Sequence, residues 1–195
     1  MLLKLSKVVR VLTVPPVMAL LLLLTLFFTH RTDMGGTWQL VAAFVFLVVL
    51  PVLAYPLQPL FPQFRHKGRE GQRSLAMVFS VAGYFLGIVF ALVTRAPHTA
   101  LALYLTYLFS GAILLLFNKA FKLRISGHAC GVCGPVALLT YYVSPLALIP
   151  GLLLVASVFD ASVRTKRHTF PQLFGGAVTP ILAMCMAFLI ASGTM

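Results

Sequence analysis

Val11-Leu-Thr-Val-Pro-Pro-Val-Met-Ala-Leu-Leu-Leu-Leu-Leu-Thr-Leu-Phe-Phe28 runs for eighteen residues without a charge, directly after the basic start Lys4, Lys7 and Arg10. Two readings compete for such a run. A secretory signal has an apolar stretch of about 7–15 residues before a small-residue cleavage site, whereas a membrane-crossing helix needs about 20 apolar residues for the hydrocarbon core. This run is too long for the first and lacks its cleavage site, so a membrane helix is expected. The rest of the chain has the same character. Hydrophobic residues make up 61% and charged residues 9%, against roughly 45–50% and 25% in a soluble domain. At about 20 residues per span, 195 residues hold six or seven helices and no separate soluble domain. The expected fold class is all-α: a polytopic membrane helical bundle of six to seven transmembrane helices, one integral membrane domain over 1–195.

Working outward, apolar runs divided by Pro, Gly and charge place spans at 11–28, 38–57, 75–94, 98–117, 129–143, 146–161 and 172–193. The fifth and sixth are short and meet at Ser144-Pro145, which reads as a tight helical hairpin. If spans alternate, the N-terminus and the segments 58–74, 118–128 and 162–171 share one membrane face. Thirteen of the fifteen Lys and Arg residues lie there, leaving Arg31 and Arg95 opposite. The positive-inside rule puts that face in the cytoplasm of a protein of the cell membrane. A face so rich in cations, with Glu70 as the only acid of its three loops, also focuses positive potential on an anionic partner.

Two stretches on that face carry chemistry. The first is Asn118-Lys-Ala-Phe-Lys-Leu-Arg-Ile-Ser-Gly-His128, which leads into a helix of small residues. Unpaired backbone N–H groups at a helix start attract an oxyanion. Gly127 permits close approach, Ser126 adds a hydroxyl, and Lys122 and Arg124 add charge, Arg with a bidentate fork for phosphate. The second is Asp160-Ala-Ser-Val-Arg-Thr-Lys-Arg-His168-Thr-Phe-Pro-Gln172. Two histidines in a basic cluster can divide phosphoryl transfer between them, one imidazole attacking phosphorus and the other protonating the departing oxygen. Cations stabilise charge on the equatorial oxygens.

Ile125-Ser126-Gly127-His128 and the later His168 resemble the signature of the type 2 phosphatidic acid phosphatase family, metal-independent membrane phosphatases. Its pattern is a Lys and an Arg-Pro, then Pro-Ser-Gly-His, then Ser-Arg, five residues, His, three residues and Asp. The resemblance covers roughly the last 80 residues, a phosphatase-like core about 115–195 that includes the hairpin and the Leu173-Phe-Gly-Gly-Ala177 helix start. The first 110 residues match only as a helical preface. The resemblance implies His168 as the phosphate-accepting nucleophile, His128 as the acid for the leaving group, and Ser126 with the Gly127 backbone as the phosphate cradle.

The departures are specific. Ile125 stands for Pro, Ala161-Ser162 for Ser-Arg, and Gln172 for Asp. Arg164, four residues before His168, is the expected substitute for the missing arginine, and Gln172 is expected to orient the imidazole without adding charge. For the first family piece, Lys67 and Arg73 compete with Lys119, Lys122 and Arg124; nearness in sequence favours Lys122 and Arg124.

Several features have plainer readings. Cys130, Cys133 and Cys185 lie in or beside apolar segments, where helix packing accounts for them better than a disulfide framework or zinc. Thr169-Phe-Pro-Gln172 fits a capping box. Asp160 is expected to pair with Arg164, and Trp38 and Tyr55 mark interfaces. With only Asp33, Glu70 and Asp160 in the chain, a carboxylate-bound magnesium site is excluded. The expected protein is a hydrolase of a lipid phosphate, whether a phosphatidate-like lipid, a glycerophosphate-headed lipid or a polyprenyl (di)phosphate. No cofactor, metal or nucleic acid enters that reading; membrane lipids are the other partners. The alternative is a small transporter or lipid- or anion-binding protein without catalysis.

Overall fold

A computed structural model describes residues 2–193 of the chain. The structure is 84% helical, with no strand among the described residues. We label its elements α1 (Leu2–Leu12), α2 (Pro15–Thr29), α3 (Thr37–Leu60), α4 (Gly68–Val93), α5 (His98–Ala120), α6 (Gly127–Tyr142), α7 (Pro145–Arg164) and α8 (Phe170–Ser192). A single turn, Pro62–Arg65, joins α3 to α4. Five of these helices are long and apolar enough to cross a membrane, and the pair α1–α2 makes a sixth if counted as one bent span. The polytopic helical bundle read from composition is the architecture found.

The deciding apolar run does not form one helix. It breaks at Thr13-Val14, and α1 meets α2 at an angle of 55°. Pro15 and Pro16 are the cause. Neither has an N–H to continue the ladder, and proline disfavours helical backbone in the residue before it, so Val14 is extended (φ −62°, ψ 147°) and Pro15 starts a new helix. The span expected from 75 begins at Gly68 instead, which places Arg73 on a membrane helix.

Helix α6 has 16 residues, half of them buried, and packs on α2, α5, α7 and α8. It is apolar or small on every side, as suits a helix enclosed by others. Helix α8 presents Ala183, Ala187 and Ala191, all fully buried at four-residue spacing, and packs most extensively on α5. Small residues in register let two backbones approach where lipid offers no competing hydrophobic drive. Leu22 and Leu26 of α2, Leu40 and Leu47 of α3, and Leu103 and Tyr104 of α5 complete the core. The outward side chains, among them Leu24, Phe85, Leu153 and Leu189, are exposed and apolar, the surface a bilayer requires.

Candidate active site

One cavity of about 990 Å³ opens among α1, α2, α3, α4, α5, α6 and α8. Its charged end gathers Arg10, Arg73, His128, Arg167 and His168. These residues come from the N-terminus, the segment before residue 74, the start of α6 and the 165–169 connection. All four segments assigned to one membrane face by charge counting thus converge on a single cavity. Away from that end the lining is mostly apolar, with Val14, Val52, Met77, Val81, Leu114 and Leu138, and includes the polar residues Ser80, Tyr84, Thr106, Tyr107 and Ser110. The Tyr107 hydroxyl is buried without a hydrogen-bond partner among the described residues.

His168 sits in the short connection between α7 and α8, and its tautomer follows from its neighbours. The Gln172 side chain faces both the Thr169 backbone N–H and His168 Nδ1, each at 3.2 Å through Oε1. The Thr169 N–H donates only, so the amide atom facing it is the oxygen, and that oxygen accepts from His168 Nδ1–H. The proton is therefore on Nδ1, and Nε2 carries the lone pair a nucleophile needs. Gln172 serves as capping residue and imidazole holder at once, because Thr169 and Gln172 form the capping box that starts α8. Burial holds His168 below the ordinary histidine value; the bond to Gln172 acts the other way, and Arg10, Arg73 and Arg167 add to the lowering.

His128 is the second residue of α6 and lies within electrostatic reach of Arg10 and His168. Its Nε2 is 3.0 Å from the Thr13 hydroxyl, which itself donates to the Val9 carbonyl at 2.8 Å. Thr13 has one hydroxyl proton, already given to Val9, so His128 Nε2–H donates to it. Nδ1 is left as the ring nitrogen for proton transfer.

The cations differ from those expected. Lys122 and Arg124 are exposed and do not line the cavity. The 121–126 segment leaves its helix, with Lys122 at φ +54°, and Ser126 N–H ties its end to the Gln172 carbonyl at 2.8 Å. Nearness in sequence did not bring these side chains inward because the backbone between them and His128 turns them outward. Arg164 pairs with Asp160 at 2.5 Å on an exposed face, as expected for Asp160, and is absent from the cavity lining. Ser126 is fully buried, and its hydroxyl caps α6 by accepting from Ala129 N–H at 3.2 Å. Gly127 does line the cavity.

The guanidiniums come from elsewhere. Arg10 donates to the Thr165 hydroxyl at 3.0 Å, beside the His168 connection. Arg73, one of the two residues weighed for the first family piece, reaches the cavity; Lys67 stacks over Phe64 instead. Arg10 feels both Arg73 and Arg167, and His168 feels all three. None of the three has a carboxylate within 4 Å among the described residues, where Asp160–Arg164 is the only ion pair. Arg10 and Arg167 were not singled out as ligands. Arg10 lies more than a hundred residues before His128, and no local pattern marks it.

Gly176 fixes the spacing between the two histidine segments. A Cβ there would strike the Ser126 carbonyl oxygen, which accepts the first helical bond of α6 from Cys130 N–H at 3.1 Å. Gly176→Ala is expected to cost about 1–3 kcal/mol and to lower the thermal midpoint in detergent. The displaced backbone carries His128 two residues later, so the spacing of the two imidazoles should change with it.

Comparison with family models, curated proteins and solved structures finds no match for the chain.

Proposed function

We propose that the protein is a membrane phosphohydrolase of lipid phosphates that works through a phosphohistidine at His168. The observation that carries this reading is the cavity end itself: two imidazoles of defined tautomer beside three arginines that have no protein carboxylate to neutralise them. A phosphate group supplies the missing negative charge, and guanidiniums match its oxygens bidentately. The largely apolar remainder of the cavity suits a lipid tail, and the lipid-facing outer surface puts such substrates within reach.

In the first step the His168 Nε2 lone pair attacks phosphorus. The P–O bond to the alcohol breaks, and the departing oxygen takes a proton from His128 Nδ1 while Arg10, Arg73 and Arg167 hold the phosphoryl oxygens. In the second step neutral His128 removes a proton from water, whose oxygen attacks phosphorus. The P–N bond breaks, its electron pair returns to Nε2, and inorganic phosphate leaves. His128 acts as imidazolium first and imidazole second although burial, Arg10 and His168 lower its own value to about 4, so its first proton has to arrive with the protonated phosphate group; His168 must begin neutral. The thirteen Lys and Arg residues assigned to the active-site side support a cytoplasmic site through the positive-inside rule.

Phosphate release from a panel of lipid phosphates by purified protein tests the reading, with His128→Ala as the comparison. The wild type is expected to release phosphate and the variant to lose about 10²–10⁴-fold; equal rates would refute it. The pH profile is a second test. A nucleophile held below the ordinary histidine value of 6.5 stays neutral at pH 7, so kcat/KM should fall on the acid side only below that value. Gln172→Glu keeps an oxygen toward Thr169 N–H and adds negative charge beside the ring. Its acidic limb should move to higher pH.

One observation favours a second reading, a lipid or anion carrier without catalysis. Ser80, Tyr84, Thr106, Tyr107 and Ser110 line the cavity from within spanning helices, where polar side chains mark solute paths. Flux of a lipid phosphate across vesicles without phosphate release would select it.

A further inference from the structure

We infer that α1 is a surface-reading helix that binds anionic lipid headgroups and, by doing so, seats both histidine-bearing segments. The helix has three faces. Ser6 is buried and Val9 packs on Met18, Val132 and Val158, the inward side resting mainly on α7. Leu5, Val8 and Leu12, at spacings of three and four, lie together on a second side and are 59%, 51% and 62% exposed. Lys4 and Lys7, one turn apart and exposed, mark the third, and α1 contains no acidic residue. An apolar side flanked by lysines on a helix bent 55° from the next span is the composition of a helix lying in the bilayer interface. Charge complementarity selects the occupant: anionic headgroups meet the lysines while Leu5, Val8 and Leu12 enter the acyl boundary.

The inward edge of the same helix reaches the cavity. Arg10 donates to Thr165, at the head of the connection that carries His168, and Thr13, just past the end of α1, receives the His128 Nε2–H. Unseating α1 would withdraw both contacts together. The Val14-Pro15-Pro16 break gives a fixed corner about which α1 moves, because Pro15 is wedged on Gly131, where even a Cβ would meet its ring.

Two lysines near an anionic leaflet shift the seated population by up to about 30-fold, an effect that salt screens. The binding half of this inference stands apart from the phosphohydrolase reading; the coupling to turnover rests on it. The test uses the full chain in vesicles of phosphatidylcholine, alone or with about one-third phosphatidylglycerol. A polarity-sensitive probe at Val8→Cys, in a Cys185→Ser background, should report a drier setting in the anionic vesicles. Hydrogen exchange of the 165–169 connection should slow, and turnover of a short-chain, water-soluble lipid phosphate should rise about threefold or more. High salt and the double variant Lys4→Gln/Lys7→Gln should remove these responses while leaving turnover in phosphatidylcholine unchanged. An identical probe signal in both vesicles, or a response that survives in the lysine variant, would overturn the inference. A probe response without a change in exchange would overturn the coupling. Absence of turnover with every substrate, alongside intact probe and exchange responses, would instead count against the phosphohydrolase.

Discussion

His168→Ala is expected to abolish the covalent route and lower turnover at least about 10⁴-fold, a loss of about 5 kcal/mol in transition-state stabilisation. The Nε2 lone pair exposed by the Gln172 contact has no substitute nearby: His128 gives its own Nε2–H to Thr13 and offers only Nδ1. Two measurements make the test specific. Rapid quenching during turnover should trap an acid-labile phosphorylated protein in the wild type and none in His168→Ala. In His128→Ala the trapped species should persist, since the base that activates water for its hydrolysis is gone. Phosphorylation in the His168→Ala protein would move the nucleophile elsewhere. Retention of wild-type turnover would end the mechanism.

The second large effect concerns the cations. Arg73→Ala should lower kcat/KM about 10²–10³-fold, the cost of removing one preorganised donor from a site where charge must be held. Arg73→Lys should restore only a fraction, because an ammonium lacks the planar fork. Lys122→Ala and Arg124→Ala should stay within about threefold of wild type, as exposed charges outside the cavity contribute through a screened field alone. This contrast separates two ways of building the same chemistry. If Lys122 and Arg124 prove costly and Arg73 does not, the phosphate sits on the 121–126 segment and the cavity end described above is not the site.

Legibility differed among the parts of the site for physical reasons. Both contacts of Gln172 were readable because capping is local: three residues separate it from Thr169 and four from His168, and helix geometry settles the rest. Asp160 and Arg164 were readable for the same reason. The exposed placement of Lys122 and Arg124 was not legible, because a left-handed backbone at Lys122 and the tie from Ser126 N–H to the Gln172 carbonyl leave no trace in composition. The first span was misjudged at its start. Its hydropathy is continuous, but Pro15-Pro16 interrupts the hydrogen-bond ladder, and the residues before that break form α1, which brings Arg10 and Thr13 to the histidines.

From residue order alone follow the membrane class, the all-helical architecture, the approximate spans and the gathering of cations on one face. These depend on quantities that add along the chain: hydropathy over about 20 residues, proline and glycine punctuation, and charge between spans. The membership of the cavity was decided only by packing. Arg10, Arg73 and Arg167 meet because α1 leans on α7, α4 sets Arg73, an exposed side chain like Arg167, on the cavity wall, and Gly176 lets the Ser126 backbone touch α8. Such contacts join residues far apart in the chain, and their direction is set by side-chain volume and backbone turns at sites that sequence periodicity does not register.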